Sequence, residues 1–125
     1  MHELSIARSI LSIVERAARD EGFQRVLEIR LKMGEYSGLV PECLREFFPI
    51  AARGTVAEGA KLVMETLPAV FRCLDCGYEG PADRKNACCP RCRGTALRMT
   101  QGREFYVEDL KGASLTQVGF FWKTP

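Results

Sequence analysis

At 125 residues, with 46% hydrophobic and 27% charged residues, the chain has the size and composition of one soluble folded domain, or of a small domain carrying an insert. A formal net charge of only +2 does not imply the strongly basic surface that binding to a phosphate backbone would require. No run of about 18 apolar residues is present, so no membrane span is expected. The start has no basic leader and no continuous apolar stretch before a small-residue cleavage site, so the expected location is cytoplasmic.

The chain opens on Met1-His2-Glu3, and His2 is its only histidine. The α-amine of Met1, the backbone nitrogens of His2 and Glu3, and Nδ1 of the His2 imidazole can all reach one metal ion through small chelate rings. Four nitrogens in a plane suit Ni(II) or Cu(II), whereas zinc favours a tetrahedral set. The backbone nitrogens must lose protons to bind, so such a site weakens as pH falls. On these residues alone the alternative, a frayed terminus with a solvated histidine, is the commoner outcome.

Ile6, Ile10, Ile13 and Ala17, with Val14 beside them, predict a helix starting near Ser5, which would serve as its N-cap, and stopping at Gly22. That places a rigid base close to the first three residues. Arg25 to Met33 reads as a strand, with Leu27, Ile29, Leu31 and Met33 alternating with Glu28, Arg30 and Lys32. Gly34 ends it, and Glu35-Tyr36-Ser37-Gly38 forms a loop. Pro41 suits the first turn of a second helix, where its missing amide hydrogen is not needed. Leu44, Phe47, Phe48 and Ala51 form that helix's apolar stripe, read as core packing, and Gly54 closes it. Lys61 to Leu67 is a second strand, and Glu104 to Leu110 a third. The stretch from Gly112 to Pro125 has no clear period but is too apolar for a pure linker.

This order predicts a small α/β body: a sheet of about three strands with two helices on one face, plus an inserted zinc-ribbon-like four-cysteine module. The expected boundaries are residues 1–68 and 102–112 for the α/β domain, 69–101 for the insert and 113–125 for a C-terminal tail.

Within the insert, Cys73-Leu74-Asp75-Cys76 and Cys89-Pro90-Arg91-Cys92 are two C-x-x-C pairs separated by twelve residues. In a reducing compartment, clustered cysteines more often bind metal than form disulfides. Four thiolates make the closed tetrahedral set of a structural zinc site, with a rubredoxin-like iron site as the alternative on the same ligands. Gly77 and Gly94 suit tight turns that bring backbone amides to sulfur. Cys88 is read as a non-ligating neighbour and Cys43 as a small buried apolar residue. A four-thiolate site has no open position, so it holds the module together rather than performing chemistry. Six basic and three acidic residues in 69–101, with four thiolates on one divalent ion, leave the module near +1 and the rest of the chain at −1. Neither part reads as a phosphate binder, and no nucleic-acid partner is expected. Phosphate loops, catalytic serine or cysteine signatures and a second histidine are all absent.

Four features occur together and in order: Met1-His2-Glu3-Leu4-Ser5, Gly34-Glu35-Tyr36-Ser37, Ala57-Glu58-Gly59-Ala60-Lys61-Leu62 and the paired C-x-x-C motifs. In them, roughly over residues 1 to 110, the chain resembles the HypA/HybF family of hydrogenase nickel-incorporation proteins. The resemblance implies a nickel metallochaperone for [NiFe]-hydrogenase maturation and not an enzyme, with no catalytic residues. It implies Ni(II) held by the amine of Met1, the backbone nitrogens of His2 and Glu3 and the His2 side chain, and Zn(II) held by Cys73, Cys76, Cys89 and Cys92. It implies as partners a GTPase of the maturation pathway and the hydrogenase large-subunit precursor; some members also serve urease. Monomer and homodimer stay open. Some members carry a carboxylate near nickel at the position of Val40, a ligand that valine removes. The alternative readings are a zinc-ribbon adaptor for protein or nucleic acid, and a metal-dependent hydrolase using Glu3.

Overall fold

The computed structural model describes residues 3–114 and 118–123, with side chains described from Leu4 to Ser114. In chain order the elements are α1 (Glu3–Glu21), β1 (Arg25–Gly34), α2 (Pro41–Ala52), β2 (Lys61–Leu67), β3 (Val70–Cys73), β4 (Glu79–Gly80), β5 (Leu97–Gln101), β6 (Phe105–Ala113) and β7 (Val118–Lys123). They form a four-stranded sheet of order β2-β1-β6-β7 and a three-stranded sheet of order β4-β3-β5. Among the described residues the chain divides into two compact units. One is formed by the stretches up to Lys32, Leu39–Glu65 and from Tyr106 onward; the other by Met33–Gly38 and Thr66–Phe105.

In the first unit α1 and α2 pack on one another. α1 buries Ala7, Ile10, Leu11, Val14, Ala17 and Ala18, a stripe at three- and four-residue steps. Ile13, expected on that stripe, is exposed. At roughly 100° per residue it lies about 100° round from the centre of the buried face, where Leu11 and Ala18 stand instead. Ser5 is not the N-cap. The helix begins at Glu3, and the Ser5 carbonyl accepts a bond from the Ser9 hydroxyl at 3.1 Å. Glu3 and Leu4 are good helix formers, so nothing delays the start to Ser5. The other end stops at Gly22, with φ +74°: the Phe23 amide reaches the Ala18 carbonyl at 2.8 Å and the Gly22 amide the Arg19 carbonyl at 3.2 Å. These two bonds form a Schellman cap around a left-handed residue that glycine adopts freely.

Pro41 opens α2, as expected, and Leu44, Phe48 and Ala52 are its buried residues, with Phe47 and Ala51 half-buried beside them. On β1, Ile29, Leu31 and Met33 are buried, while towards the strand's start Val26 is buried and Leu27 only half-buried. β6 contributes Val107 and Leu110 to the core. The sheet has four strands rather than about three, because residues 118–123 of the expected tail pair antiparallel with β6 from Asp109↔Lys123 to Ala113↔Val118.

The second unit holds β3, β4 and β5, three strands too short to show any period in the sequence. Met33–Gly38 joins it through backbone bonds from Glu35 to Leu67 at 2.8 Å and from Tyr36 to Gly102 at 2.6 Å. The Glu35 carboxylate accepts the Ala69 amide at 2.8 Å and pairs with Arg84, whose guanidinium lies 6.0 Å from the Tyr36 ring centre. A side chain at position 34 would collide with the Gly102 carbonyl, so the loop needs glycine there.

Candidate metal centre

The two C-x-x-C stretches fold into matching knuckles. In the first, the Cys73 amide bonds the Tyr78 carbonyl at 2.8 Å and the Gly77 amide the Cys73 carbonyl at 2.9 Å. In the second, Cys89 bonds Gly94 at 2.8 Å and Arg93 bonds Cys89 at 2.9 Å. Both turns need a left-handed residue just after the second cysteine. Gly77 fills it at φ +79°, but in the second knuckle the residue is Arg93, at φ +66°, not Gly94. Gly94 instead leaves room for its neighbours' side chains. A Cβ there would stand 2.8 Å from Asp75 Oδ2 and 3.2 Å from Cys92 Sγ.

The knuckles bring the sulfurs of Cys73, Cys76, Cys89 and Cys92 within 4.8 Å of one another. Cys73 and Cys92 are separated by 3.6 Å, and Cys76 and Cys89 by 3.7 Å. Thiolates at about 2.3 Å from a tetrahedral ion stand about 3.8 Å apart, so the donor set fits a zinc-sized tetrahedral ion. Backbone amides point at the sulfurs: Arg91 and Cys92 at Cys89 Sγ, each at 3.4 Å, Gly94 at Cys92 Sγ at 3.3 Å, and Tyr78 at Cys76. Such donors favour thiolate over thiol. The Tyr78 amide, the neighbouring Cys92 thiol and Arg91 hold the Cys76 thiol down at about 6. At Cys92 the Gly94 amide acts in the same direction, but the crowd of sulfurs from Cys73, Cys76 and Cys89 outweighs it and pushes the thiol up to about 12. The first thiolate forms easily; the last needs a cation among the four.

Arg91 is a contributor that spacing alone does not single out. Its guanidinium, carried by the second knuckle, donates to the Cys76 carbonyl of the first. The one sequence signal is its place inside C-P-x-C. Cys88 is buried and stands outside the four-sulfur group, its sulfur 3.9 Å from Arg93 Nη1. Cys43 is half-buried on α2. Asp83, beside the second knuckle, accepts the Lys85 and Asn86 amides, the Asn86 side chain and Arg93 Nη1. The expected nickel ligands Met1 and His2 lie outside the described residues; Glu3 is the first residue of α1.

The profile of the HypA family, described as hydrogenase/urease nickel incorporation, metallochaperone, matches residues 1–112. The chain is 42% identical over 110 residues to the hydrogenase maturation factor HypA of Chlorobium limicola, covering 88% of this chain and 95% of that one. It is 38% identical over 111 residues to the HypA of Geobacter metallireducens, covering 89% and 98%. The solution structure of the Ni metallochaperone HypA from Helicobacter pylori matches the fold with a TM-score of 0.68 at 22% identity, over 91% of this chain and 99% of that one. A second HypA solution structure matches with a TM-score of 0.71, also at 22% identity. With a profile match over nearly the whole length and relatives well above 30% identity, this chain belongs to the HypA family of hydrogenase/urease nickel-incorporation metallochaperones, which are metal carriers and not enzymes.

Proposed function

We propose that the protein carries Ni(II) as cargo at its N-terminus and delivers it during maturation of [NiFe]-hydrogenase in the cytoplasm. The ligands are the Met1 amine, the backbone nitrogens of His2 and Glu3 and the His2 imidazole. A structural Zn(II) sits on Cys73, Cys76, Cys89 and Cys92. A GTPase of the maturation pathway and the hydrogenase large-subunit precursor are the partners. The observation that carries this reading is the match of residues 1–112 to the nickel-incorporation metallochaperone family. The start of α1 at Glu3 supports it, because a helix there supplies a fixed base beside an otherwise open chelate. Planar nitrogen ligation on a chain end suits a carrier, since incoming ligands can take it apart one nitrogen at a time.

The test is nickel titration of untagged, zinc-loaded protein beside His2→Ala, followed by absorbance and calorimetry. One planar, diamagnetic nickel per chain is expected, and its loss in His2→Ala. Nickel binding that His2→Ala leaves unchanged would sink the N-terminal site.

A further inference from the structure

β3 and β5 pair antiparallel with Arg72 directly opposite Arg98. Two guanidinium groups thus stand side by side on one face of the three-stranded sheet, and like charges placed directly opposite destabilise a sheet. Three cations of this unit have local partners, Arg84 on Glu35, Arg93 on Asp83 and Arg91 on the Cys76 carbonyl, whereas Lys85 and Arg103 have no ion pair among the described residues. Arg72 and Arg98 are exposed and form no ion pair among the described residues, although Glu79 sits opposite Arg72 on β4. The two arginines line a groove of about 520 Å³ with Cys73, itself one of the four clustered cysteines, Leu74, Gly77, Met99 and Thr100.

Leu74 is 64% exposed, the most exposed large apolar side chain among those described. It lies inside the first C-x-x-C knuckle, and its amide is held by the Ala96 carbonyl at 2.9 Å. A backbone pinned between two sulfur ligands and that bond cannot turn the leucine inward. The groove therefore presents an apolar tip on a rigid base beside two arginines that form no ion pair among the described residues. Arginine is enriched among the residues that carry binding energy at protein interfaces, where a rigid anchor loses little entropy on docking.

We infer that this groove docks an acidic, extended segment of a partner protein, with carboxylates on Arg72 and Arg98 and an apolar side chain against Leu74. Bidentate guanidinium–carboxylate pairing explains why arginine stands at both positions. Nucleic acid fits less well. Two arginines on a module near +1 neutralise few phosphates, and an aliphatic tip offers no face for base stacking. The groove is built within the second unit alone and uses none of the proposed nickel ligands.

The probe is a labelled synthetic dodecapeptide carrying glutamate pairs on either side of one leucine, titrated by fluorescence anisotropy into the zinc-loaded full chain. Controls are the same peptide with glutamine for glutamate, and a single-stranded thymidine dodecamer. Expected are binding of the acidic peptide that weakens as salt is raised, at least a tenfold loss in the Arg72→Glu/Arg98→Glu variant, and a severalfold loss in Leu74→Ser. His2→Ala should bind the peptide as the unaltered protein does. Zinc content and far-ultraviolet spectra check the fold of each variant, and the milder Arg72→Gln/Arg98→Gln change should also weaken binding severalfold. The inference is overturned if the acidic peptide binds no better than its glutamine control, or if the folded arginine variants keep full affinity. It is also overturned, in favour of nucleic acid, if the oligonucleotide binds more tightly through the same two arginines.

Discussion

Arg91 ties together two turns that the chain separates by twelve residues. Its backbone amide bonds a sulfur of its own knuckle, and its guanidinium bonds the Cys76 carbonyl of the other. A cation placed there also opposes the net −2 of four thiolates on a divalent ion. Removing it in Arg91→Met should leave the metal bound but speed its transfer to a chromogenic chelator severalfold, with Arg91→Lys in between; unchanged release rates would deny the clamp. Gly77 makes a different contribution. No atom lies within 4 Å of a Cβ built at that position, so Gly77→Ala meets backbone strain alone at φ +79°. The left-handed conformation costs a side chain about 1–2 kcal/mol, and the zinc-loaded variant should melt correspondingly lower by calorimetry. Glu35 is a pH-sensitive group away from the cysteines. The Arg84 guanidinium first, and the Ala69 amide second, hold its carboxyl below the usual carboxylate range. A carboxyl depressed in the folded state stabilises fully above its unfolded pKa and loses that contribution as pH falls through the lower folded value. Acid melts of the zinc-loaded protein should therefore show a Glu35→Gln variant with less stability than the unaltered chain near neutral pH, and with the difference shrinking towards strongly acidic pH.

At the scale of elements, α1 separates residues that look alike in the sequence. Ile10 is fully buried and Ile13 is not. Ile10→Ala should cost about 2–5 kcal/mol, the range for emptying a packed core site, while Ile13→Ala should cost less than about 1 kcal/mol. Urea denaturation of the zinc-loaded protein measures both; equal losses would mean that the helix buries a different face in solution. The Schellman cap at Gly22 and the Pro41 opening of α2 are both local devices, and both were legible because glycine past a helix end and proline at its first position act through backbone chemistry alone. Strands β3, β4 and β5 were not legible. Each is five residues or fewer, and their pairing joins residues up to 31 positions apart. β7 was missed for another reason: Phe120, Phe121 and Trp122 are consecutive, so no apolar alternation marks a strand.

At the scale of the whole molecule, the two units differ in what holds them. The first has a core drawn from both helices and the sheet, including Phe48, Ile10, Ile29, Leu31 and Leu110. In the second the buried side chains are few and include the cysteines themselves, with Cys73, Cys88 and Cys89 among them. A segment with so small a core depends on its metal to fold. Chelating the metal should therefore collapse hydrogen-exchange protection across Thr66–Phe105 and leave most of it in α1, α2 and β1. Simultaneous loss in both units would show that they fold as one. Acidification should act in the same direction as the chelator, because protons compete with the ion for the thiolates.

The sequence by itself determined the metal chemistry of the module. Paired C-x-x-C spacing is a local property, and four thiolates close a tetrahedron wherever the chain between them runs. It also determined the two helices, the strands β1, β2 and β6 and the family, since each rests on contiguous residues. Only the tertiary structure decided that Arg93 rather than Gly94 adopts the left-handed turn, that Arg91 bridges the knuckles, that Glu35 meets Arg84, and that Arg72 faces Arg98. Those facts follow from the register between distant strands and the placing of one turn against another, which no local pattern of residues encodes.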